Sequence, residues 1–218
     1  MKENWKYAIN IISLFMGLFI LNINSSLAQP EEMDPGYLNV LKDRTAKIIR
    51  DLKLGDMEKA QRVQEIMIMQ YCQLSKIHDL RDKKIQNIEE HNESESELQC
   101  IENEINSALY HLHAEYLAKL SSELSNDLIE KIKDGMTYGV TELTYSGYLT
   151  LLPGLTEVQK RFIYKNLIEA REFAMDAGSA EEKHAWFGKY KGRINNFLSS
   201  EGYDLKEAEN QLKNLQAN

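Results

Sequence analysis

His78 and Asp82 stand four residues apart in the run Ile77-His78-Asp79-Leu80-Arg81-Asp82. On a helix that spacing puts both on one face, where an imidazole and a carboxylate can exchange a proton or hold a metal. Two ligands do not complete a metal shell, so no metal is expected. His78, Asp79 and Asp82 read first as a solvated face and second as a secondary candidate site. His111 and Glu115 repeat the spacing. His111 and His113 point apart on a helix and are not a chelating pair.

A richer set lies further along. Tyr138, Tyr145 and Tyr148 fall in one glycine-punctuated stretch, and Trp186, Lys191, Arg193 and Asn196 follow in a helical pattern. Sugars are bound by aromatic rings packing on their C–H faces, with amide and guanidinium groups bonding the hydroxyls. These seven residues are therefore the first candidate ligand site. The competing role is packing: Phe187, Tyr190, Ile194, Phe197 and Leu198 recur at core spacing. No Gly-x-Ser-x-Gly, His-Glu-x-x-His or phosphate-cradling glycine loop occurs. No spacing demands catalysis and no cofactor is implied. A pair of carboxylates for glycoside cleavage would be spatial rather than sequential, so an enzyme stays open as the lesser reading.

The start of the chain says where such a site would work. Lys2 and Lys6 precede an apolar run, and Ser26-Leu27-Ala28 is a small-x-small pattern. This is the layout of a secretory signal peptide cut after Ala28. The apolar run of ~17 residues is marginal for a membrane span of ~20, so an uncleaved anchor is the weaker alternative. Residues 29–218 are then expected in the periplasm or secreted, as a single helical domain with no membrane partner after cleavage. A net charge of −8 disfavours nucleic acid. The stretch 160–193 is locally basic, with 8 basic and 5 acidic residues. It is either an ordinary solvated face or a surface for an anionic ligand.

The elements that must position these residues are helical. Leu38 to Leu52 is a short amphipathic helix, and Asp56 can cap the next, about Met57 to Glu90. Ser94 or Ser96 then caps a third, about Glu97 to Lys133. Together 57–133 form a long antiparallel hairpin. If it turns near Asn92, Cys72 and Cys100 are off register by ~18 Å, so two free, buried cysteines are expected. From 134 to 155 no helical period fits, and the stretch is expected to be one long glycine- and tyrosine-rich loop. Thr156 and Ser179 cap two helices within 156–218, and a last helix runs from about Leu205 to Leu215. The expected fold is an all-α helical bundle.

Four segments carry a resemblance: Asp134-Gly-Met-Thr-Tyr-Gly, Gly147-Tyr-Leu-Thr-Leu-Leu-Pro-Gly-Leu-Thr, Glu169-Ala-Arg-Glu-Phe-Ala-Met-Asp and Trp186-Phe-Gly-Lys-Tyr-Lys-Gly-Arg-Ile-Asn-Asn. With them the chain resembles the secreted helical family called domain of unknown function 3826, from Gram-negative polysaccharide-degrading bacteria. The resemblance implies an extracytoplasmic place in a glycan-use system and a carbohydrate partner, an acidic one included. It carries over no catalytic residues. Leu155-Thr156-Glu157-Val158-Gln159 is also similar to the Leu-Thr-x-x-Gln motif of Spy-type periplasmic chaperones, which implies a chaperone or scaffold as the alternative. A glycan-active lyase or hydrolase is the second alternative. The oligomeric state is not legible.

Overall fold

The computed structural model describes residues 34–91 and 94–216. The expected signal segment 1–28 and the turn at Asn92 lie outside them. The described residues form eight α-helices and no strand. The fold is the expected all-α bundle.

Local capping chemistry sets most helix starts. In α1 (Pro35–Leu52) the Asp34 side chain accepts from the Tyr37 N–H and Pro35 occupies the first turn. That pairing starts the helix three residues earlier than its apolar pattern does. In α2 (Met57–His91) Asp56 Oδ1 accepts from the Glu58 and Lys59 N–H groups at 2.9 and 3.0 Å. Ser94 and Glu97 form a capping box at the start of α3 (Glu95–Glu123). α2 and α3 are the expected hairpin, and α2 alone spans ~50 Å.

The third helix does not continue to Lys133. It stops at Leu124, and a separate α4 (Asn126–Met136) begins after Ser125, which is extended. Leu124 is buried in extended conformation at the break, and the Ser125 side chain makes no capping hydrogen bond. The break turns α4 onto α1 and α6. At the contact with α1, a Cβ on Gly135 would come within 2.9 Å of the Ile48 side chain, so only glycine fits.

The expected 134–155 loop is corrected by the structure. Residues Val140–Leu151 are a helix, α5. Tyr138 (φ 60°) and Gly139 (φ 68°) take left-handed conformations, and the Gly139 N–H donates to the Asp134 carbonyl at 2.8 Å. This closes α4 and starts α5 within a few residues. Periodicity hides α5 because its apolar residues are not confined to one face. Thr141 and Tyr148 point inward while Leu143 is exposed.

α6 (Glu157–Met175) opens with a capping box between Thr156 and Gln159, and Leu155 is buried. The Leu-Thr-x-x-Gln segment is thus a helix start here. α7 (Ala180–Ser200) is capped by Ser179, and α8 (Leu205–Gln216) by Asp204, which accepts from the Glu207 N–H at 2.9 Å.

Two hydrophobic clusters result. The first joins α1 to α4 with Met175, around Leu41, Met67, Leu120 and Ile132. The second joins α5 to α8, around Ile163, Leu167, Phe187 and Ile194. Each fully buried side chain of this size contributes ~1.5–3 kcal/mol. Cys72 and Cys100 are free as expected, but only Cys72 is buried. Cys100 is exposed, because it falls on an outward face of α3. No helix among the described residues is long and apolar enough to cross a membrane.

Candidate functional site

A charged seam runs between the two clusters, built mainly from α4, α6 and the middle of α3. Arg171 is almost wholly buried. It pairs with Asp134 at 2.7 Å, with Glu130, and with Glu172 at 3.3 Å. Lys133 is buried beside it and donates to Glu172 at 2.9 Å. Lys183, also buried, donates to the Ala174 and Met175 carbonyls at 2.8 and 2.9 Å. These are the last carbonyls of α6, which a helix leaves without partners. Burial pushes the Lys183 ammonium down to about 8.

Where the seam reaches the surface it opens into a groove of ≈ 950 Å³. Its walls are His78 and Arg81 of α2; Glu102, Asn106, Tyr110 and His113 of α3; Glu172, Phe173 and Asp176 at the end of α6; and Glu182, Trp186 and Lys189 on α7. The volume suits a small ligand or a few sugar rings.

His113 ties the floor together. Its Nδ1 lies 2.7 Å from Asp176 Oδ2 and its Nε2 3.5 Å from Glu172 Oε2. Donating to Asp176 and to Glu172 holds this imidazole up at about 9, so it is cationic at neutral pH. Burial alone would raise Glu172, but bonds from His113 and Lys133 outweigh it and hold the carboxyl down at about 2. Glu182 follows the same logic: burial opposes its charge, and Arg81 and the Gly178 N–H hold it below the usual range. A glycosidase acid must keep its proton near neutral pH. Glu172 and Glu182 are held the other way.

His78 is buried, and its Nε2 lies 2.7 Å from the Asp176 carbonyl oxygen. A carbonyl only accepts, so Nε2 carries a proton, and in the ring's neutral form Nδ1 keeps a lone pair. That Nδ1 and Asp176 Oδ1 are buried without a hydrogen-bond partner.

The aromatic wall is on the other side. Phe173 stacks on Trp186 with ring centroids 4.6 Å apart and planes at 17°. The Lys189 ammonium sits 4.8 Å from the Trp186 ring. Phe173 remains 45% exposed and Tyr110 73%.

Of the residues singled out from the sequence, Trp186 and His78 line this groove. Asp79 and Asp82 are exposed on α2, and Asp82 pairs with Arg81 at 3.0 Å. Tyr138 is exposed at the α4–α5 link and stacks on His184. Tyr145 packs edge-on against Tyr164. Tyr148 is core: its hydroxyl donates to Asn195 Oδ1 at 2.6 Å, and burial pushes it up to about 12. Arg193 lies over Tyr190 and near Asn166 and Glu169, clasping α7 to α6. Lys191 and Asn196 are exposed on α7.

Sequence reasoning missed His113, Glu172, Phe173 and Asp176. The last three lie in the segment Glu169-Ala-Arg-Glu-Phe-Ala-Met-Asp, and Glu172 and Asp176 share a face at i, i+4. The spacing Glu182, Ala185, Trp186, Lys189 is likewise one helical face.

Fold and groove together define an all-α protein with an aromatic, ion-paired cleft between a long hairpin and the junction of α6 with α7. The chain belongs to the family described as "Protein of unknown function (DUF3826)", whose model matches residues 38–216. A search of curated proteins found no match.

Proposed function

We propose that this is an extracytoplasmic accessory protein of a glycan-use system, and that it binds carbohydrate in the groove between α2, α3, α6 and α7. The observation that carries the reading is the two exposed rings lining the groove, Phe173 and Tyr110, with Trp186 stacked on Phe173. Exposed rings beside a polar, hydrogen-bonding floor suit the C–H faces and hydroxyls of a sugar. Binding without cleavage is the better fit, because Glu172 and Glu182 are held ionised. The extracytoplasmic placement rests on the signal-peptide layout of residues 1–28.

The test is a glycan array followed by calorimetry on the hits. Phe173→Ala and Trp186→Ala should each weaken binding about tenfold, the loss of ~1.4 kcal/mol of stacking. Circular dichroism should be unchanged. Full affinity in both variants would remove the groove from consideration, and new reducing ends in the incubated hits would replace binding with catalysis.

A further inference from the structure

We infer that the groove selects an uncharged saccharide, one that donates hydroxyl hydrogens, over a uronate or a sulfated sugar. The inference rests on the carbohydrate reading above and adds the ligand's charge.

Donors and acceptors at the groove are unequally matched. Two cations at the groove already have carboxylate partners. Arg81 is held by Asp82 and Glu182, both at 3.0 Å. His113 is held by Asp176 and Glu172. Lys189 is exposed on α7 and lies against the Trp186 ring, with no carboxylate partner among the described residues. Behind the floor, Lys133 and Arg171 are engaged by Glu130, Asp134 and Glu172. Within the locally basic stretch 160–193, Arg171 and Lys183 are buried and offer no cationic surface to a ligand.

Acceptors are in surplus. Asp176 Oδ1 and His78 Nδ1 have no partner. Glu102 carries no ion pair among the described residues and is exposed on the α3 wall. An anionic ligand group at this floor would face Glu172 and Asp176, which already engage His113 and Lys133. A hydroxyl meets the same floor by donating, and vicinal hydroxyls can satisfy two acceptors at once.

Calorimetry on the intact protein tests this with two probe sets matched in length: neutral xylo-, arabino- and galacto-oligosaccharides, and oligogalacturonates. The neutral set should contain a binder at least about tenfold tighter than any uronate. His78→Phe and Asp176→Asn should each weaken that binder, with Lys191→Ala as an unaffected control. If either variant fails to fold, the comparison on the unaltered protein decides alone. Preferential uronate binding that is lost in Phe173→Ala would overturn the charge inference and leave the carbohydrate reading standing. Silence toward both sets would overturn both.

Discussion

Replacing His113 by glutamine should destabilise the protein in a way that depends on pH. The imidazole bridges α3 to the end of α6 through Asp176 and Glu172. It is held up at about 9 against an ordinary 6.5. A histidine whose affinity for the proton rises on folding stabilises the folded state fully below its unfolded value. That stabilisation disappears as pH rises through the folded value. The difference here corresponds to ~3 kcal/mol at pH 6 or below, ~2 kcal/mol near pH 7.4 and almost nothing by pH 10. The His113 side chain is only 20% exposed, so solvent screening removes little of this. Glu172, held down at about 2, reports partly the same contact, and the two contributions are not added.

Lys183 complicates the raw profile. Its folded value of about 8, against an ordinary 10.5, makes stability rise between those two pH values. The quantity to follow is therefore the difference between the protein and His113→Gln, measured by urea unfolding at pH 6, 7.5 and 9.5. The pH-dependent part of that difference should shrink by ~3 kcal/mol across the series. An NMR titration of the imidazole checks the midpoint directly. A difference that does not change with pH, or a His113 midpoint near 6.5, would refute the bridge.

Other perturbations address the packing that holds the groove. Gly135→Ala places a methyl 2.9 Å from Ile48 where α1 crosses α4, and should cost ~1–3 kcal/mol in thermal or urea unfolding. A cost within error of zero would mean the two helices are not in this contact. Arg171→Met removes the cation shared by Glu130, Asp134 and Glu172. It should cost ~3 kcal/mol, the lower end for a broken buried pair because its carboxylate partners keep some solvent. Adding Asp134→Asn to Arg171→Met should recover part of the loss, and strictly additive costs would argue against the pairing.

The groove itself was only partly legible in the chain. His78 and Trp186 stood out by type and neighbourhood, and both line it. The expected tyrosine loop did not form, and the structure uses its residues differently: Tyr148 packs in the second cluster while Tyr138 lies outside at the α4–α5 link. His111 and His113 look alike in sequence. The packed face of α3 turns His113 toward Asp176, while His111 is exposed beside Tyr110.

What the sequence determined by itself is the local chemistry of helix starts, the all-α class and the family. Asp34, Asp56, Thr156 and Ser179 cap because a short polar side chain reaches an N–H only two or three residues ahead, so no distant contact is needed. Tertiary structure decided the rest. The break at Ser125 and the helix at 140–151 follow from which residues are buried against α1, α6 and α8. The groove draws on residues 78, 113, 172–176 and 186, which come from four helices. Only burial, which makes Arg171, Lys133 and His113 find carboxylate partners across those helices, brings these residues together.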